Sequence, residues 1–308
     1  MNFAIMGAGG LGCFYGGMLA RAGEQVHFIA RGANLLALQN QGLHVESEHV
    51  GDFHLPRVAA TGDPTGIGPV DVVLMSVKTY DLEAACTAIQ PLMGPETFVV
   101  PLLNGADIAE RIGGVIGLER VLGGTTFASS NLMAPGRARH VANAPLRFGE
   151  LGGGLSARGD ALRVTLESAG LIAEHSDDIR REVWEKFILV SPMAGVSSVA
   201  RLSTRFIASI PEIRALYEDA AREVTAVARA AGVGVADDIV ARVLSFIDNL
   251  PPQHTVSTLL DLRAGRRLEL DAMVGTVVRM GADLGVPTPV NRVLYNALKP
   301  YENGPPEE

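Results

Sequence analysis

Cysteine is almost missing from this chain: Cys13 and Cys86 are the two thiols among 308 residues. They lie far apart and in no metal-type spacing, which excludes a disulfide framework and suits a reducing cytoplasm. Basic charge is also short, with 26 Lys and Arg against 34 Asp and Glu and a formal net charge of -8. A general nucleic-acid binder needs a basic footprint, so that class is set aside, while a small anion at one local site is not. No uninterrupted apolar run reaches the length that spans a bilayer, so no membrane segment is expected. The N-terminus opens straight into a strand, without the basic and apolar regions of a signal peptide. These absences together predict a soluble, cytoplasmic protein.

What the chain has in quantity is small and aliphatic. Almost half of it is apolar and 35 residues are glycine, the composition of helix-covered parallel sheets. At this length two domains are expected. Asn2–Met6, Gln25–Ala30, Val70–Val77 and Thr97–Leu103 read as strands. Helical stretches at Gly12–Ala22, Ala33–Gln41 and Leu82–Leu92 alternate with them. That βαβ rhythm predicts a parallel sheet with helices on both faces. Further strands are expected at Leu122–Ala128, Arg137–Asn143, Leu146–Leu151 and near Leu171–His175, with a helix over Ala157–Ser168. From Ile179 onward the spacing is helical throughout: Arg180–Val190, Ser197–Leu202, Ile213–Ala231, Ala236–Phe246 and Arg267–Leu284. The expected architecture is therefore α/β, a Rossmann-like domain over residues 1–177 and an all-helical domain over 178–308. A spare apolar helix face in the latter would serve a homodimer. The tail Glu302–Glu308 reads as disordered.

Gly7-Ala8-Gly9-Gly10-Leu11-Gly12 fits G-x-G-x-x-G between a strand and a helix. The first glycine permits a tight turn, the second lets the backbone approach a pyrophosphate, and the third allows close helix–strand packing. The helix N-terminus adds free N–H groups and a partial positive charge. An NAD enzyme usually carries Asp or Glu at the end of the second strand, whereas Gln25–Ala30 ends in Arg31. A guanidinium there suits a 2′-phosphate, so NADPH is the expected cofactor. Lys78 and Asn104 follow two further strands, where ligands bind in open α/β sheets.

With these pieces in view, the chain resembles the ketopantoate reductase (2-dehydropantoate 2-reductase) family. The marks are GAGGLG at Gly7–Gly12, ARG at Ala30–Gly32, VKTYD at Val77–Asp81, LNG at Leu103–Gly105 and GGTTFAS at Gly123–Ser129. WEKF at Trp184–Phe187 and the stretch from Ser257 through Asp261, Arg263 and Glu269 to Asp271 complete the set. The resemblance implies NADPH-dependent reduction of a 2-oxo acid to a 2-hydroxy acid, 2-dehydropantoate to pantoate on the way to coenzyme A. It implies Lys186 as catalytic lysine, Glu269 as a glutamate near cofactor and active site, and Ser257 as a substrate-binding serine. Asn104 would touch both cofactor and substrate, and Ala128 the cofactor. In chemical terms, a lysine can supply a proton or a cation to the oxygen that gains charge during hydride transfer.

The chain departs from the family pattern on one helix face. Val190 and Ala194 stand where asparagines commonly follow the lysine at one and two turns, another such asparagine aligns near Thr204, and Asp81 replaces a glutamine. Losing amide donors weakens binding of a polar substrate by about a kcal/mol per bond, which keeps a more apolar 2-oxo acid in play. A non-catalytic NADP(H)-binding sensor is a second alternative, against which the set Lys186, Ser257 and Glu269 argues. His44, His49 and His54, with Glu46, Glu48 and Asp52, match no standard metal spacing, and an exposed polar hairpin accounts for them.

Overall fold

A computed structural model of the chain describes residues 1–306. The chain divides into two compact units, one of Met1–Leu103 with Ile108–Ile179, the other of Asn104–Asp107 with Arg180 onward. The first contains β1 (Asn2–Met6), α1 (Gly10–Arg21), β2 (Gln25–Ile29), α2 (Gly32–Gln41), β3 (Leu43–Ser47), β4 (Phe53–Leu55), β5 (Ala59–Thr61) and β6 (Val70–Met75). It continues with α3 (Leu82–Ala88), β7 (Met93–Pro101), α4 (Ile108–Ile116), β8 (Leu122–Thr126), β9 (Ser129–Ala134), β10 (Arg137–Ala142), β11 (Leu146–Glu150), α5 (Ala157–Ser168) and β12 (Ala173–His175).

Five strands form a parallel sheet in the order β5-β2-β1-β6-β7. Successive side chains alternate between two cores, which is why Phe3–Met6, Val72–Met75 and Phe98–Val100 read as continuous apolar runs. Phe3, Ile5, Val72, Leu74, Phe98 and Val100 pack with α1 and α5, while Ala4, Val73, Met75 and Val99 pack with α3 and α4. Because β2 and β6 leave on opposite sides of β1, the strand order reverses there, and the crevice at its carboxyl end is the usual ligand position. A smaller sheet, β12-β11-β8, lies next to β7 through a Val99–Val121 bridge.

A further sheet, β4-β3-β10-β9, covers the other side of α1. The helix is thin enough to lie between two sheets. A methyl group at Gly16 would meet Ile5 and Phe28 of the parallel sheet, and one at Gly17 would meet Leu43 and Phe53 of β3 and β4. The expected polar hairpin is real, since β3 and β4 pair antiparallel with His44 opposite His54. It is not simply exposed, however: Leu43 and Val45 are buried, and β3 is an interior strand beside β10. The histidines and acids supply the polar face, and the alternating apolar residues supply the core face. Strand β9 and helix α4 were not expected; β9 is mostly exposed and follows the two-residue turn of Phe127 and Ala128 after β8.

The second unit holds α6 (Ile179–Ala200), α7 (Arg205–Ser209), α8 (Pro211–Ala230), α9 (Ile239–Asp248), α10 (Ser257–Arg263), α11 (Thr276–Asp283) and α12 (Pro289–Leu298). No strand occurs in it among the described residues. Trp184, Phe187, Tyr217, Val224, Leu259, Val274 and Leu294 share its core. The separate helices expected at Arg180–Val190 and Ser197–Leu202 are one helix, α6, with Pro192 inside it. Proline removes one backbone bond, but Ile188, Leu189, Met193, Ala194 and Val196 are all buried, and that packing holds the helix together. The helix expected from Arg267 begins three residues later, through a π turn at Asp271–Gly275 that leads into α11. The tail over residues 302–306 packs back on the helical unit. Leu268 N donates to Glu302 O at 2.8 Å, and Pro305 lies over Gly265. The remainder of the expected disordered tail, Glu307 and Glu308, lies outside the described residues.

Candidate active site

The glycine loop leaves β1 at the point where the strand order reverses. Gly7 has φ +101°, and a side chain there would press on the Ser76–Val77 backbone at 2.8 Å. Gly12 is closed in by Gly7 O and Ser76 Oγ, and Gly10 by the backbone of Ser130 in β9. Gly9 differs: nothing lies within 4 Å of where its Cβ would be. Three glycines thus serve the fold and one faces open space, as the approach of a pyrophosphate requires. The first helical bond of α1 runs from Cys13 N to Gly9 O at 2.8 Å, so the amides of Gly10, Leu11 and Gly12 form the donor-rich helix start.

The loop's other polar groups are tied down. Gly7 N and Ala8 N both donate to Ile29 O at 3.2 Å. Ser76 Oγ donates to Gly7 O at 2.6 Å, and Asn34 Nδ2 to Ala8 O at 2.6 Å. Asn34 Oδ1 in turn accepts from Gly136 N at 2.8 Å. Sequence reasoning missed Ser76 and Asn34. Ser76 had a weak signal in its place one residue past β6, while Asn34 had none. The residues present fit a dinucleotide: an open glycine, a helix start and a loop fixed in advance.

Arg31 caps α2 at the end of β2, with its side chain 79 % exposed. Its Nη2 donates to Asp81 Oδ2 at 2.6 Å. Lys78 and Asp81 flank one short turn after β6, and Asp81 N donates to Lys78 O at 2.9 Å. Ala128 sits in the turn between β8 and β9, where its N–H donates to Thr126 Oγ1 at 2.9 Å. The same Thr126 hydroxyl shares a 3.2 Å hydrogen bond with Tyr15 OH of α1. The helix that carries the glycine loop therefore also holds the turn of Ala128.

Within the helical unit, Lys186 Nζ donates to Asn104 Oδ1 at 2.8 Å, joining residues 82 apart in the chain. Lys186 is half-buried on α6 between the buried, edge-to-face pair Trp184 and Phe187. Burial pushes its pKa down to about 8 from 10.5, because the surroundings disfavour the ammonium. The segment bearing Asn104 is anchored to α11. Arg279 Nη2 donates to Asp107 Oδ2 at 2.7 Å, and Thr276 Oγ1 to Asp107 Oδ1 at 3.4 Å. Asp107 carried no signal in the sequence, since its partners lie about 170 residues away.

Ser257 and Glu269 occupy separate elements of the same unit. Ser257 is exposed at the first position of α10, where Val256, not the serine, is the cap. Glu269 is half-buried ahead of the π turn, and its carbonyl accepts from Met273 N at 3.1 Å. Val190 and Ala194 follow Lys186 on α6; Ala194 is 2 % exposed in the core and Val190 packs partly against it. Thr204 is buried, and its hydroxyl donates to His254 O at 3.0 Å.

Two family models cover this chain: ketopantoate reductase PanE/ApbA over residues 3–153, and the C-terminal model of the same family over residues 178–302. The chain belongs to the ketopantoate reductase family. It is an oxidoreductase with the Rossmann-like and helical parts expected from its motifs. It is 30 % identical over 303 residues to a 2-dehydropantoate 2-reductase of Nostoc sp., covering 97 % of this chain and 94 % of that one. A solved PanE/ApbA family ketopantoate reductase from Ralstonia eutropha JMP134 superposes with TM-score 0.90 at 33 % identity, over 98 % of both chains. A D-mandelate dehydrogenase solved with NADH and anilino(oxo)acetate shares the fold, with TM-score 0.89 at 24 % identity over 98 % of both chains. No helix among the described residues is long and apolar enough to cross a membrane.

Proposed function

We propose that this chain uses NADPH to reduce a 2-oxo acid to a 2-hydroxy acid, with 2-dehydropantoate as substrate and pantoate as product. The observation that carries the reading is the 2.8 Å bond between Lys186 Nζ and Asn104 Oδ1, made by a lysine whose pKa burial lowers to about 8. Residues 1–177 carry the cofactor loop and residues 178–308 the catalytic side chains, with Asn104 acting alongside the latter. The loop of Gly7, Ala8, Gly9, Gly10, Leu11 and Gly12 holds the pyrophosphate at its open Gly9 and helix start, Arg31 holds the 2′-phosphate, and Lys78, Asn104 and Ala128 hold further parts of the dinucleotide. The bound nicotinamide supplies the hydride.

As charge gathers on the carbonyl oxygen of the substrate, Lys186 donates a proton to it. A lysine titrating near 8 is mostly protonated at neutral pH yet releases its proton far more readily than one at 10.5. Asn104 fixes the direction of the ammonium group, and Ser257 binds a substrate oxygen. Glu269 holds the charge of Lys186 or binds a hydroxyl of the cofactor. The two cysteines are free and buried, which suits a cytoplasmic enzyme.

The test is NADPH oxidation, followed by its near-ultraviolet absorbance, with a panel of 2-oxo acids. Turnover of 2-dehydropantoate is expected, with Lys186→Ala losing most of it. No turnover of any 2-oxo acid would sink the reading, and full activity in Lys186→Ala would remove that residue from its role. Val190, half-buried one turn beyond Lys186 where the family commonly has an asparagine, favours a second reading, a more apolar 2-oxo acid, which the same panel distinguishes by higher kcat/KM on the apolar members.

A further inference from the structure

We propose that Asp81 sets how far this chain discriminates NADP(H) from NAD(H), by competing with the 2′-phosphate for Arg31. The inference rests on the reading of Arg31 as the 2′-phosphate residue and deepens it. Arg31 follows β2 and Asp81 follows β6, the two strands that flank β1. Their 2.6 Å bond therefore joins the two sides of the strand that feeds the glycine loop. Arg31 is 79 % exposed and Asp81 33 %, so an incoming ribose can reach both.

The pair is neutral, whereas a guanidinium beside an amide would keep its full positive charge. A 2′-phosphate brings about -1.5 to -2 at neutral pH. It must either share the guanidinium with a carboxylate already bound to it, against like-charge repulsion, or displace Asp81 and break the 2.6 Å bond. NAD(H) meets neither cost. Its ribose 2′-hydroxyl can donate to a carboxylate, the contact that an acidic residue provides in NAD enzymes. Here that acid arrives from the strand on the far side of β1 rather than from the end of β2. The Arg31–Asp81 pair thus offers a cation for the phosphate and an acceptor for the hydroxyl, and the chain binds both cofactors with modest preference.

Direct titration of NADPH and NADH into the protein, read by nicotinamide fluorescence without substrate, tests this. In Asp81→Gln the ratio of the two Kd values is expected to move toward NADPH by about tenfold, which is about 1.4 kcal/mol. NADPH should bind more tightly and NADH no better, and the shift should shrink at high salt because the groups are exposed. Asp81→Asn is the companion variant if the glutamine form folds poorly. A ratio that stays within about twofold of the parent's in the folded variants would overturn the proposal. Arg31→Ala separates the underlying reading: it should weaken NADPH while leaving NADH nearly unchanged. If it weakens neither, the 2′-phosphate assignment fails independently of Asp81.

Discussion

At the scale of single residues, the glycines of the loop divide by what surrounds them. Gly12 is hemmed in by Gly7 O and Ser76 Oγ, whereas Gly9 has open space where a side chain would go. Gly12→Ala should therefore destabilise the fold, by about 1–3 kcal/mol, through a collision that backbone must absorb. Gly9→Ala should leave the melting temperature within a degree or two, yet weaken NADPH binding about tenfold or more, because the methyl group occupies the path of the pyrophosphate. Thermal melts and cofactor titrations on the two variants check both outcomes. The loop was legible in the sequence because its spacing is local and each glycine answers a backbone need. Asn34, Ser76 and Asp107 were not legible, since their hydrogen bonds to Ala8 O, Gly7 O and Arg279 depend on tertiary placement.

Among the elements, the segment of Asn104–Asp107 depends on α11 for its position. Asp107 accepts from Arg279 and Thr276 at one end of this segment, while Asn104 accepts from Lys186 at the other. Asp107→Ala should loosen Asn104 and lower kcat about tenfold, the factor that 1.4 kcal/mol of lost positioning carries. Asp107→Asn, which still accepts, should restore part of it, and KM for NADPH should move less than kcat. Steady-state kinetics on the two variants decide, and an unchanged kcat in Asp107→Ala removes the anchoring role. The same scale shows where sequence patterns mislead. Pro192 splits a pattern that the buried side chains of α6 hold together. The histidines of β3 and β4 conceal an interior strand, because alternate residues face opposite ways. Strands β1, β6 and β7 were readable because burial on both faces leaves an apolar run in each, Phe3–Met6, Val72–Met75 and Phe98–Val100.

For the whole molecule, holding Lys186 at a pKa of about 8 against an ordinary 10.5 is a cost to folding. Below about 8 the folded and unfolded chains are both protonated at this residue and the cost is full. Between 8 and 10.5 the unfolded chain keeps the proton that the folded chain has released, so stability rises with pH across that window. Lys186→Met should therefore be more stable than the parent at pH 7, by about 3 kcal/mol at most, with the gap closing toward pH 10.5. Denaturant melts of the two proteins from pH 7 to 10.5 measure it. A gap that does not change with pH would mean that Lys186 titrates normally. No periodicity in the sequence announces this cost; the lysine's surroundings create it.

The grouping of residues 104–107 with the helical unit also bears on recombination. A chimaera that exchanges everything after Ile179 with the matching half of a relative looks clean along the chain. It would nevertheless pair a foreign lysine with this chain's Asn104, and leave Asp107 facing replacements for Thr276 and Arg279. Four residues from the middle of the first half belong to the second cassette, and an exchange that carries them along keeps both sets of partners intact.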